Sequence, residues 1–219
     1  MKSLYFVFFL LVLFSGCFDL VEEVTVHSNG SGSFLFEANG SQSKTKLKTL
    51  LALDSLDGFK VPSIESLNQD MDKAKAILLA SDGISNFTDK RNFEEYIFSM
   101  RFDFRDVSSL NHALTHLFKT FNRSKIPAPE NTFQYHSNVF ERKNEYQGKP
   151  DLTKLPRKEL DMLEGASFTS IYRFDKLIQN YNNPDAKLSK NGKVVFLKLS
   201  IPDLIKGNKT ISNTINLQP

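Results

Sequence analysis

The chain contains no tryptophan and a single cysteine, Cys17, among its 219 residues. One thiol can close no internal disulfide, so stability has to come from burial even in an oxidising compartment. Long hydrophobic runs are missing too: the longest, Leu4 to Phe14, holds eleven residues, where a membrane-spanning helix needs about 20. Charge of one sign is not in excess, with 28 Lys and Arg against 25 Asp and Glu. The basic residues are scattered among the acids and form no stripe, which excludes nucleic acid as an expected partner. There is no Gly-x-Ser-x-Gly elbow of a serine hydrolase. Gly30-Ser31-Gly32 lacks the Lys-Ser/Thr of a phosphate-cradling loop and leads into a strand, so it reads as a turn. What the chain does have is phenylalanine, 20 in all. With Leu and Ile these supply a core, and a chain of this length removes about 70% of its unfolded surface from water.

The apolar run sits between Met1-Lys2 and Ser15-Gly16-Cys17. A positive start, an apolar stretch and two small residues make a secretory signal peptide. Phe14-Ser15-Gly16-Cys17 resembles the bacterial lipobox, with Phe where Leu is usual. The resemblance implies diacylglyceryl transfer to the Cys17 sulfur, cleavage between Gly16 and Cys17, and acylation of the new amino group. Two or more chains anchor stably where one is marginal, each buried CH₂ contributing roughly 0.8 kcal/mol. A spanning helix, ordinary secretion with a coincidental Cys, and a buried first strand fit the segment less well. Residues 1–16 are then a removed signal peptide, leaving 203 residues with a net charge near +2 once Lys2 is lost. Phe18 stands where an Asp would retain some lipoproteins in the inner membrane, which favours the outer membrane of a bacterial envelope.

Residues 17–20 form the lipidated Cys and a short tether, because Val21 to His27 already alternates as a strand. At about 3.5 Å per extended residue, the domain sits within roughly 15 Å of the lipid surface. Ser28 to Gly32 turns the chain and Ser33 to Ala38 returns it, which predicts a hairpin. Helices are expected next, one carrying Leu47, Leu50, Leu51 and Leu53 with Lys44, Lys46 and Lys48 outward. The second has Ile64, Leu67, Met71, Ala74, Ile77 and Leu78 on one face. Ile84 to Lys90 and Glu95 to Phe104 read as strands, the latter alternating Tyr96, Phe98, Met100, Phe102 and Phe104 on its buried face. A third helix from Asp106 or Ser108 carries Leu110, Ala113, Leu114, Leu117, Phe118 and Phe121. Residues 21–124 therefore read as one α+β domain. Ile126-Pro127-Ala128-Pro129 is the most plausible internal boundary. Residues 125–219 read as a β-rich continuation or a second small subdomain, with strands over Phe133 to Arg142, Ala166 to Phe174 and Lys193 to Leu199. Leu152 to Leu163 is expected to be partly helical. Asn191-Gly192 predicts a tight turn, and Thr210 to Leu217 a final edge strand with Asn and Ser on its solvated side. The fold class expected is α+β, antiparallel β hairpins with helices packed on one face.

Candidate chemistry is sparse. His112 and His116 have the i, i+4 spacing of a metal pair, but no Glu follows His112 and a third ligand would have to come from an Asp, His27 or His136, so no metal is expected. Glu22-Glu23, Glu94-Glu95 and Asp103 with Asp106 are carboxylates of the kind a glycosidase pairs, and the bland reading is solvated surface. Asn29, Asn39, Asn86, Asn122 and Asn208 match Asn-x-Ser/Thr, and Asp54-Ser55-Leu56 fits a bacterial O-glycosylation pattern. No cofactor is expected and no catalytic residue stands out.

A hairpin with a Gly-Ser turn directly after a lipobox, then helices, then Ser189-Lys190-Asn191-Gly192 and a terminal strand, resembles bacterial envelope lipoproteins of the LppM type. The resemblance covers most of the chain and brings no catalytic motif. The reading is a lipid-anchored envelope protein whose partners are the membrane, through Cys17, and other envelope proteins. It is expected to be a non-enzymatic interaction or assembly module. The alternatives are a small-ligand or lipid-binding lipoprotein, which requires an apolar pocket between sheet and helices, and an envelope hydrolase. Cells fed a clickable palmitate should label the wild-type chain and not Cys17→Ala, and the variant should leave the membrane fraction. Unchanged labelling would sink the anchor.

Overall fold

The computed structural model describes residues 18–52, 55–56, 59–60, 62–121, 128–143 and 163–219. Cys17, the signal peptide expected over 1–16, Leu53 and the helix expected from Leu152, except for Leu163, lie outside the described residues. The Pro-rich boundary falls outside them as far as Pro127.

The expected first hairpin forms, β1 (Asp19–Val26) pairing antiparallel with β2 (Gly32–Asn39). Gly30 closes the turn at φ +84, and Asn29 Oδ1 accepts from the Ser31 N–H. A 3₁₀ turn (Ser41–Ser43) leads into α1 (Lys44–Leu51), and β3 (Ser55–Leu56) and β4 (Phe59–Lys60) follow as a short pair. The second helix, α2 (Ile64–Ala80), is capped by Ser63, whose hydroxyl accepts from the Ser66 N–H at 3.1 Å. Gly83 then takes a left-handed φ of +76, and a side chain there would run into Ser109. The next pair is β5 (Ile84–Asn92) and β6 (Ile97–Phe104), followed by α3 (Val107–Phe121). Asp106 caps α3 by accepting from the Ser109 N–H at 2.8 Å, which holds its carboxyl below the usual carboxylate range. Strands β7 (Phe133–His136) and β8 (Val139–Arg142) join through Ser137 and Asn138, both at positive φ, the geometry of a two-residue hairpin. The remaining elements are β9 (Ser167–Phe174), β10 (Ile178–Tyr181), β11 (Lys187–Leu188), β12 (Val194–Ser200), α4 (Ile201–Ile205) and β13 (Asn213–Leu217).

The architecture is α+β. Seven strands run in the order β11-β12-β9-β1-β2-β6-β5, and four more in the order β10-β13-β8-β7. Every pair is antiparallel except β1 with β9, which is parallel. Strands from both ends of the chain thus share one sheet, with β1 between β2 and β9. One expectation is corrected: the last strand is no edge. β13 lies between β10 and β8, bonded on both sides, and Asn213 is 1% exposed. Its carbonyl oxygen accepts from the Asn183 N–H, which offsets part of the cost of burying an amide. β1 also starts earlier than expected. The first strand begins at Asp19, and the Phe18 carbonyl already accepts from the Ser167 N–H at 2.9 Å.

Alternation decides which face is inside. Val24, Val26, Phe34, Phe102, Phe104, Tyr172, Phe174, Val195, Leu197 and Leu199 are all buried on one face of the large sheet. The four-stranded sheet covers part of it through a run of rings: Phe34 to Phe133 at 6.4 Å between centroids, Phe133 to Phe140 at 5.9 Å, and Phe140 to Tyr172 at 5.1 Å. Leu78 of α2 and Leu110 and Ala113 of α3 complete the same core.

Within this apolar layer lies one ion pair. Glu22 of β1, 6% exposed, accepts from Arg142 Nε and Nη2 of β8, both at 3.1 Å, and from the Tyr172 hydroxyl of β9 at 3.0 Å. The guanidinium also donates to the Lys143 carbonyl and lies 5.2 Å from the Phe133 ring centroid. Burial, with the Glu22 carboxylate beside it, holds the Tyr172 hydroxyl well above the usual phenol range. Removing one partner of such a pair strands a buried charge, whereas removing both can be near neutral. Arg142→Met should therefore lower the unfolding free energy in urea by about 3–5 kcal/mol, and Glu22→Leu with Arg142→Met should recover most of it. A single variant within 1 kcal/mol of wild type would refute the role given to the pair.

Candidate apolar binding pocket

On the part of the inner face formed by β2 and β6, no strand of the small sheet lines the wall. Phe36 and Ala38 of β2 and Phe98 and Met100 of β6 face α2 instead, and α2 presents Leu67, Asp70, Met71 and Ala74. These helical positions follow the i, i+3, i+4, i+7 pattern of one face. Phe121, at the end of α3, and Ser99 complete the described lining. Between them is a cavity of about 290 Å³. Ala38 on the sheet and Ala74 on the helix leave it hollow, because neither side chain is long enough to fill the gap. Asp70 and Ser99 contribute carbon atoms only, so no polar atom is presented to the cavity.

A polar latch ties α2 to β5, the strand beside the pocket wall. Arg91 of β5 donates to the Asn68 side-chain oxygen at 2.6 Å and pairs with Asp72 at 2.8 Å, both on α2, while Asp89 on its own strand holds it at 2.5 Å. Burial works against the guanidinium charge, but Asp89 and Asp72 outweigh it and raise Arg91 above its usual range. Farther along the helix Leu78 is fully buried, whereas Ile64 is 48% exposed. The C-terminal half of α2 is therefore fixed by core packing and the N-terminal half by Arg91.

Register places the pocket relative to the start of the chain. Asp19 pairs with Asn39 and Asn39 with Ile97, so the pocket strands end where β1 begins. Two strand spacings separate β1 from β6, about 10 Å.

The residues singled out from the sequence do not converge. Glu22 is in the buried pair, whereas Glu23 lies on the opposite face between Arg173 at 3.0 Å and Arg101 at 3.6 Å. Asp103 accepts from Asn86, Asp106 caps α3, and Glu95 pairs with Lys44. His112 and His116 are exposed and line a shallow cleft with Asp82, Arg105 and Asp106. There Asp82 and Asp106 hold Arg105 above its usual range. Among the described residues no group of three His, Cys, Asp or Glu could hold a metal ion, and no helix is long and apolar enough to cross a membrane. The residues that sequence reasoning missed are Ala38, Asp70 and Arg91. The two small residues at facing positions were the only available signal.

Arg91→Met should free the N-terminal half of α2. Hydrogen bonds to a charged group contribute about 1.5–3 kcal/mol, so backbone amides from Asn68 to Asp72 should exchange at least tenfold faster while those near Leu78 keep their rate. Uniform change along α2 would remove the latch.

No family model matches the chain, and no curated protein matches it. Among solved structures, the NMR structure of the folded domain of the LppM protein of Mycobacterium tuberculosis is similar, with a TM-score of 0.42 and 11% identity over 91% of this chain and 89% of that one.

Proposed function

We propose that this chain is a lipid-anchored protein of the bacterial envelope whose α+β domain binds an apolar ligand beside the membrane. The single observation that carries the binding role is the cavity of about 290 Å³, apolar throughout, between the inner face of the large sheet and α2. Such a pocket is what the small-ligand alternative required, and its volume is close to the lower end of ligand sites. Supporting the membrane-proximal placement, Phe18 alone separates Cys17 from β1. The pocket end of the sheet is also the end at which the chain enters.

The role is binding rather than catalysis. With no convergent carboxylates or nucleophile among the described lining residues, its walls offer desolvation and shape. In the envelope the anchored domain is exposed to other proteins, so delivery to or receipt from a partner is compatible with this reading.

Filling the cavity tests it. Ala38→Leu adds three carbons toward the hollow, where burial of apolar atoms contributes about 0.8 kcal/mol per CH₂. The variant should keep or raise its Tm and lose binding of a solvatochromic apolar dye by at least tenfold. Undiminished dye binding would exclude this pocket as the site.

A further inference from the structure

The size of the pocket and the charge at its rim narrow what it holds. About 290 Å³ accommodates on the order of ten methylene-sized units at roughly 30 Å³ each. One medium alkyl chain matches that volume, whereas two chains or a sterol skeleton exceed it. Met71 on the helix wall and Met100 on the sheet wall carry unbranched, polarisable thioethers that adapt to a flexible chain. Because no polar atom faces the cavity, a headgroup gains nothing by entering and stays at the rim. Asp70 is the one ionisable side chain among the described lining residues, and it has no hydrogen-bond or ion-pair partner among them.

Resting on the reading that the pocket binds an apolar ligand, we propose that the ligand is a single-chain amphiphile with a neutral or cationic headgroup. Its chain lies between α2 and β6, and its head lies beside the Asp70 carboxylate. An anionic head would meet a like charge there, a penalty of about fivefold for unit charges 4 Å apart in water. A cationic head gains by a similar factor.

The test uses the full chain in lipid nanodiscs, with the methionine methyls labelled with carbon-13 and read by NMR. Alkyltrimethylammonium, alkyl maltoside and alkyl carboxylate series of 6 to about 16 carbons are titrated, with free concentrations corrected for partition into empty discs. The Met71 and Met100 methyls should shift together, with affinity rising about fourfold per added methylene and levelling at about ten carbons. At equal length the carboxylate should bind at least fivefold more weakly than the other two, and Asp70→Asn should abolish that preference while leaving the plateau in place. Equal affinity for all three heads in the wild type, or equally strong shifts from a sterol, would overturn this inference and leave the apolar-pocket reading standing. No methyl shift with any series would remove both.

Discussion

The paired charges of Glu22 and Arg142 are the constraint on which the two sheets depend. An apolar contact between sheets tolerates sliding and repacking, since burial has no direction. A bidentate pair 3.1 Å long does not. It requires β8 to cross β1 at one place and in one orientation, and the Tyr172 hydroxyl extends the demand to β9. The cost of misplacing any of the three is a buried, unpaired charge. Three strands brought from positions far apart in the chain are thereby fixed by one carboxylate, and the ring series from Phe34 through Phe133 and Phe140 to Tyr172 packs around that fixed point.

The fixed point also explains why the inner face is uneven. Half of it is sealed by the small sheet, where aromatic rings meet aromatic rings. The other half meets α2, a cylinder whose ridges cannot follow a twisted sheet closely unless large side chains fill the space between. At this end the facing residues include Ala38 and Ala74, and α2 is held by Arg91 rather than by apolar contact alone. Packing is therefore dense where the small sheet covers β1 and β9 and looser where α2 covers Ala38 and Phe98. A protein interior is close-packed almost everywhere, and the open apolar pocket under α2 is where that packing stops.

Local elements were legible because their signals are local. The strand alternation of Phe98, Met100, Phe102 and Phe104 and the helical spacing of Leu67, Met71, Ala74 and Leu78 each name a buried face, and the structure buries or half-buries those faces. Pairing partners were not legible. β1 chooses β9 as a parallel neighbour about 150 residues away, and nothing in the alternation of either strand encodes that choice. A polar residue misled for the same reason: Glu22 looks solvated until Arg142 and Tyr172 arrive from elsewhere to pair with it. The pocket was the least legible feature. Periodicity reports which side chains turn inward and says nothing about whether they meet, so Ala38 and Ala74 looked like ordinary core positions. Arg91 looked like surface charge, because its partners Asn68 and Asp72 lie on another element.

Anchor and pocket belong together through β1. In the proposed anchored state, the acylated residue is two positions from Asp19, at most about 7 Å of chain. Asp19 is itself clamped: its carboxylate accepts from the Ser167 hydroxyl and from Lys198, while Phe18 is tied to β9 by its carbonyl. A flexible linker would let the domain sample every orientation over the bilayer. In that state a one-residue tether ending in a clamped strand would restrict the tilt and would keep the end of the sheet that carries Ala38 and Phe98 toward the lipid. Within the sheet, two strand spacings, about 10 Å, separate β1 from the β6 wall of the pocket. Glu22 links that end to the rest of the fold, because it sits three residues into the same strand and holds it against the second sheet. In the anchored state, the pair that fixes the core would thus also fix the direction in which the pocket end of the sheet faces.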